Sequence, residues 1–231
     1  MLQLEDIHSY YGDSHILKGM SFRIGEGQVA TLLGRNGAGK TTTLRTVMGL
    51  VPVTRGQIRF RVKEITNQKP YRIARMGVGY VPEERGIFPS LSVYENLTLP
   101  VSKVEPGLWT IDKIYEYFPV LKLRSRHKGS QLSGGEQQML AIARILTMNV
   151  KLILLDEPTE GLAPMLVRGI AKIVDELKRE GLTILLVEQN ARFAEEVADY
   201  HFVIYNGRIV YSGSNEDFKA DEEVRSRYLG V

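Results

Sequence analysis

Cysteine is absent from the 231 residues, so no disulfide framework is possible and nothing argues for a secreted, cross-linked fold. Long apolar runs are missing as well. No uninterrupted stretch reaches the roughly 18–20 residues needed to span a bilayer. Blocks of like charge are also absent: 30 basic and 27 acidic residues leave a formal charge of only +3. Without a cluster of five or six Lys/Arg, nucleic-acid binding is not supported, and a solvated mixed-charge surface is expected. The first residues, Met1-Leu2-Gln3-Leu4-Glu5-Asp6, lack the basic and long apolar regions of a signal peptide. Without that signal, Asn96-Leu97-Thr98 reads as a chance match to the glycosylation pattern. His8, His15, His127 and His201 stand singly, without the paired spacing of metal sites. There is no internal repeat and no low-complexity segment.

What is present is an alternation of short apolar runs and helical patterns. Runs at 29–33, 78–81, 152–155 and 184–187 have the length and composition of buried strands, and helical period between several of them predicts an α/β fold with a mainly parallel sheet. Leu166, Ile170, Ile173, Val174 and Leu177 form one helix face, closed by Gly181. Ile111, Ile114, Tyr115, Phe118 and Leu121 form another. No strong strand pattern runs from Tyr94 to Met148, so a helical lobe inserted into the core is expected there, with the lone Trp109 packed in it. His201 to Tyr211 centres on Asn206-Gly207, which suits a type I′ hairpin turn. Gly56–Phe60 and the N-terminal segment predict an antiparallel β edge. At 43% hydrophobic, the chain can bury one full core.

Three short motifs carry chemistry. Gly34-Arg35-Asn36-Gly37-Ala38-Gly39-Lys40-Thr41 fits the phosphate-binding loop, placed after a strand and before a helix. Gly34, Gly37 and Gly39 let successive N–H groups face phosphate oxygens. Lys40 supplies a point charge, and the Thr41 hydroxyl can ligate Mg²⁺. The candidate nucleotide contacts are Gly34, Asn36, Gly37, Ala38, Gly39, Lys40, Thr41 and Thr42. Residues 151–157, Lys-Leu-Ile-Leu-Leu-Asp-Glu, are a buried strand delivering two carboxylates to its C-terminal end, where α/β sheets place ligands. Asp156 is the candidate holder of Mg²⁺, directly or through water, and Glu157 the candidate general base for the attacking water. Solvated acids ending a strand are the bland alternative. Third, Leu132-Ser133-Gly134-Gly135-Glu136 opens a helix and offers a second anion-seeking N-terminus.

Together these motifs resemble the nucleotide-binding subunits of ATP-binding cassette (ABC) transporters, and the resemblance covers nearly the whole chain. It implies a single ABC ATPase domain over 1–231, with a core of 1–83 and 151–231 and a helical lobe of about 84–150. It implies head-to-tail dimers in which Ser133, Gly134, Gly135 and Glu136 meet the ATP held by the partner chain. It also implies an aromatic residue stacking on adenine; Tyr10 and Tyr11 are candidates, and Tyr11, beside Gly12, matches the family position better.

Three positions depart from the commonest family pattern. Glu83 stands where a Gln is usual, and can still meet Mg²⁺. Gln189 stands where a His usually contacts the γ-phosphate, and an amide cannot carry its charge. Ala163 replaces an Asp. Arg61-Val62-Lys63-Glu64 also replaces a Gly-containing turn. A degenerate ATPase relying on a paired subunit is one reading. The other is a subfamily with its own loops: Val81-Pro82-Glu83, Glu160-Gly161-Leu162-Ala163-Pro164 and Val187-Glu188-Gln189-Asn190 resemble the branched-chain (hydrophobic) amino acid importer ATPases, as does the ending Arg227-Tyr228-Leu229-Gly230. The resemblance then implies an ATPase, using ATP and Mg²⁺, on the cytoplasmic face of a membrane. It would work with a like or paralogous ATPase subunit, with transmembrane permease subunits and, indirectly, with an extracytoplasmic substrate-binding protein. Its rivals are a urea or short-amide importer ATPase, a lipid exporter ATPase, a non-transport ABC protein and a regulator that binds ATP without turnover.

Overall fold

A computed structural model of the chain describes residues 1–99 and 107–230; residues 100–106, inside the expected lobe, lie outside that range. The strands β1 (Leu2–Tyr11) and β2 (Ser14–Ile24) lead into β3 (Val29–Leu33) and helix α1 (Lys40–Val47). Next come β4 (Val53–Phe60), β5 (Lys63–Glu64), α2 (Pro70–Arg75) and β6 (Val78–Val81). Helices α3 (Val93–Thr98), α4 (Ile111–Tyr117), α5 (Pro119–Leu123) and α6 (Gly134–Leu146) follow, with no strand among the described residues between β6 and β7 (Leu152–Asp156). The chain closes with α7 (Pro164–Arg179), β8 (Thr183–Glu188), α8 (Ala191–Val197), β9 (Tyr200–Tyr205), β10 (Arg208–Ser214), α9 (Asn215–Ala220) and α10 (Glu222–Val224).

The strands form two sheets. Six lie in the order β10-β9-β3-β8-β7-β6, and β10, antiparallel to β9, is the edge of an otherwise parallel set. The N-terminal strands build a separate antiparallel sheet, β2-β1-β4-β5. Every residue of β3, β7 and β8 is buried, which explains their unbroken apolar runs: a strand covered on both faces shows no alternation. One apolar cluster joins the antiparallel sheet to α1 and one face of the parallel sheet through Ile7, Leu17, Leu44 and Leu154. The other joins the opposite face to the helices through Leu155, Ile170, Val174 and Phe193. Because β3, β6, β7 and β8 run in one direction, their C-terminal ends share one sheet edge.

Helix α7 buries Ile170, Ile173, Val174 and Leu177, each worth about 1.5–3 kcal/mol of transfer free energy. The second expected face is shared by two helices. Phe118 precedes Pro119 and sits at φ −125°, ψ 67°, because the proline ring disfavours the helical conformation before it. Ile114, Phe118 and Leu121 remain buried together across that break. Trp109 is buried, edge-on to Tyr117 at 5.2 Å. Asn96 is wholly buried, bonded to the carbonyls of Phe88, Leu91 and Ser92, so it pins a loop and offers no glycan acceptor. At the β9–β10 hairpin, Asn206 and Gly207 have φ of 48° and 76°, as a type I′ turn requires.

Candidate nucleotide site

The phosphate-binding loop bridges β3 and α1 at the shared edge. A Cβ on Gly34 would lie 2.6 Å from the Ile204 carbonyl oxygen, so the loop passes where only glycine fits. Gly37, at φ 77°, has open space on its Cβ side, which leaves the backbone approachable by a ligand. Gly39, at φ 111°, then turns the chain into α1, whose first N–H groups point to that space. Lys40 is buried, and Nζ donates to the carbonyls of Gly34 (2.9 Å) and Arg35 (3.2 Å). It also pairs with Glu157 Oε1 at 3.1 Å, so the cost of burying its charge is offset by a carboxylate and two carbonyls. A cleft of about 230 Å³ is lined by Ile16, Asn36, Gly37, Gly39, Lys40, Thr41, Thr42, Glu83 and Glu157. Ala38 is buried and its carbonyl accepts from Gly207 N–H at 2.9 Å.

Across from the loop stand the carboxylates. Asp156 is buried at the end of β7; Thr41 Oγ1 donates to its Oδ1 and Tyr80 Oη to its Oδ2, both at 2.9 Å. Burial raises the Asp156 pKa, the two hydrogen bonds oppose that, and nearby Glu157 adds to it. Burial, followed by the charge of Asp156, pushes the Tyr80 hydroxyl up, so it serves as a donor. Glu157 holds a left-handed backbone conformation at φ 44°, and its Oε2 accepts from Gln189 Nε2 at 2.6 Å. A non-glycine residue at positive φ costs stability, and such strain concentrates at functional sites. Glu83 lines the cleft from the loop after β6, its pKa raised by partial burial, then by Glu157 and Asp156. Thr41, Asp156 and Glu83 present oxygen donors only, a set that fits Mg²⁺. Glu188, buried at the end of β8, accepts from Thr159 Oγ1 at 2.6 Å and anchors the loop after β7.

Tyr11 ends β1, is 46% exposed and lies near Arg45. Tyr10 is engaged elsewhere, stacked on His15 at 4.2 Å. The register of β1 with β2 brings His15 Nε2 to 3.0 Å from His8 Nδ1, a pairing that the separate positions of the two histidines did not announce. Ser133, Gly134, Gly135 and Glu136 do not line the phosphate cleft. Ser133 caps α6: Oγ accepts from Glu136 N–H at 3.3 Å, and Glu136 Oε2 accepts from Ser133 N–H at 2.8 Å. A Cβ on Gly135 would lie 2.5 Å from Leu166, so α6 and α7 cross closely there. Arg85, in the loop that carries Glu83, donates to Gln137 at 2.9 Å and so touches the same helix. The Tyr80–Asp156 and Gln189–Glu157 bonds and the place of Arg45 are contacts between distant elements. For Tyr80, the one sequence signal was a polar-tipped residue at a buried strand's C-terminal end.

Residues 17–160 match the family model described as ABC transporter. The chain is 40% identical to a high-affinity branched-chain amino acid transport ATP-binding protein, BraG, of Pseudomonas aeruginosa, over all of both chains. It is 35% identical to the lipopolysaccharide export system ATP-binding protein LptB of Haemophilus influenzae, over 100% of this chain and 97% of that one. A nucleotide-free ATP-binding cassette from an ABC transporter superposes with a TM-score of 0.85 at 27% identity, over 100% of this chain and 98% of that one. A dimeric bacterial ABC transporter cassette superposes at 0.81 and 25% identity, over 93% and 99%.

Proposed function

The chain belongs to the ABC transporter family as an ATP-hydrolysing subunit, and from that premise we propose that it powers import of a branched-chain or other small amino acid. The observation that carries the substrate class is the full-length 40% identity to a branched-chain amino acid transport ATPase. The loops Val81-Pro82-Glu83, Glu160 to Pro164 and Val187 to Asn190 support it.

In this reading the backbone from Gly34 to Gly39 and the first turn of α1 cradle the ATP phosphates, with Lys40 as their cation and Tyr11 against the base. Thr41 and Asp156, with Glu83, would hold Mg²⁺, which when bound neutralises phosphate charge. Glu157 takes the proton of the attacking water. Gln189, bonded to Glu157 Oε2, sets that carboxylate's orientation where a charged imidazole is commoner. Ser133, Gly134, Gly135 and Glu136, which do not line their own chain's cleft, complete the site of a second cassette, identical or paralogous. A dimeric cassette among the similar solved structures supports this arrangement. The lobe of residues 84–150 docks permease subunits at the cytoplasmic face of the membrane, fed by an extracytoplasmic binding protein. No helix of the described residues is long and apolar enough to cross a membrane.

Uptake of labelled leucine, isoleucine and valine by cells lacking this gene tests the reading. Uptake should fall and return with the wild-type gene but not with Glu157→Gln. Intact amino acid uptake with lost urea or short-amide uptake would move the substrate within the subfamily. A defect in lipopolysaccharide export would favour the second reading, which rests on the 35% identity to LptB and is opposed by Gln189.

A further inference from the structure

Tyr80 has no part in the mechanism above. It sits on β6 opposite Leu154, two residues before Asp156, and its hydroxyl reaches Asp156 Oδ2 while Thr41 reaches Oδ1. With one fixed donor on each oxygen, the carboxylate cannot rotate freely about its terminal torsion, which is otherwise broad. The contacts continue away from the carboxylate. Arg45, in the last turn of α1, lies near the hydroxyls of both Tyr80 and Tyr11, and its guanidinium is 4.0 Å from Glu84. Donors and acceptors are consistent along the line. A guanidinium can only donate, so beside the two phenol oxygens it leaves the Tyr80 proton for Asp156, which accepts it at 2.9 Å. Phenylalanine at position 80 would fill the same space, so packing does not require the hydroxyl.

We infer that Tyr80 is a positioning residue for the metal-holding carboxylate, and that Tyr11, Arg45 and Tyr80 couple the base end of the nucleotide site to it. The inference rests on the reading that Asp156 holds Mg²⁺. A base stacked on Tyr11 restrains that ring, and the restraint passes through Arg45 to the hydroxyl that orients Asp156. Metal affinity thus depends on whether the base end is filled.

The test measures ATPase rate against free Mg²⁺ at saturating ATP for the full chain, wild type and Tyr80→Phe, Tyr11→Phe and the double variant. Thermal unfolding checks the fold. Binding of Mn²⁺ to the ATP-loaded protein, followed by EPR, gives the same comparison without turnover. Tyr80→Phe should raise the half-saturating metal concentration about tenfold, the low end for losing a ligand's supporting hydrogen bond. Tyr11→Phe keeps the ring and should shift the same way by less, and the double variant should be no worse than Tyr80→Phe. An unmoved metal dependence in Tyr80→Phe overturns the positioning role. A shift in Tyr80→Phe without one in Tyr11→Phe overturns the coupling. Asp156→Asn separates the two levels: if it also leaves metal dependence unmoved, the underlying reading fails and takes the inference with it. If it abolishes metal dependence while Tyr80→Phe does nothing, the inference alone fails.

Discussion

Single side chains here work through what holds them. Glu157 is held on one oxygen by Lys40 and on the other by Gln189. Gln189→Leu keeps the volume and removes the second restraint. Turnover should fall by on the order of 10²-fold, the scale of a misplaced reacting group, with ATP affinity retained. Steady-state kinetics beside equilibrium ATP binding would check this, and an unchanged turnover would mean that Lys40 suffices. His201 is a second case, remote from the cleft. It is wholly buried, bonded to Thr31 at 2.6 Å and Asn215 at 3.0 Å, and stacked on Phe218. Burial lowers its pKa below the ordinary 6.5, so between the two values the unfolded chain binds more protons than the folded one. The stability it supports is therefore present above pH 6.5 and lost as pH falls toward the folded-state value. Urea midpoints measured from pH 7.5 down should fall in wild type and fall less in His201→Gln.

At the scale of elements, what was legible followed from local pattern. The apolar runs of β3, β6, β7 and β8, the stripe of α7 and the Asn206-Gly207 turn each carry their conformation in adjacent residues. The break at Phe118 is masked in the sequence because the apolar spacing continues across it while Pro119 stops the backbone. Sheet membership was less legible: alternation along β1 and β4 marks strands without saying that they pair apart from the parallel set. In the candidate site, the loop glycines, Lys40, Thr41, Asp156 and Glu157 announce themselves by spacing. The Tyr80–Asp156 and Gln189–Glu157 bonds join residues 76 and 32 positions apart, and no local pattern encodes such contacts or the place of Arg45. Element ends are where sequence and stability meet most directly. Ala163 is the N-cap of α7, extended at φ −65°, ψ 149°, with Pro164 in the first turn and no side-chain cap. Ala163→Asp, restoring the commoner family residue, supplies that cap and a favourable charge at the helix N-terminus. Stability should rise by about 1 kcal/mol, read as a higher urea midpoint at unchanged slope.

At the scale of the whole molecule, the phosphate loop lines a cleft that the Ser133 turn does not, so in the proposed reading one chain carries two half-sites. The phosphate loop and its carboxylates share a cleft, while Ser133 and Gly134 cap α6 outside it. A second cassette facing head to tail would place each turn against the other's nucleotide, and nucleotide would then join the chains. Glu157→Gln should slow hydrolysis while the amide oxygen can still accept from Lys40, so the joined state should accumulate. Sedimentation with Mg-ATP should show a dimer in this variant and much less in wild type. Adding Ser133→Asp keeps a good N-cap, so α6 stays folded, but sets a negative charge where the partner's γ-phosphate should lie. The dimer should then disappear while ATP binding and thermal unfolding persist. If Glu157→Gln binds ATP and stays monomeric, the complementary turn comes from a paralogous ATPase. Titrating in that subunit should restore an ATP-dependent dimer that Ser133→Asp weakens at only one of its two sites.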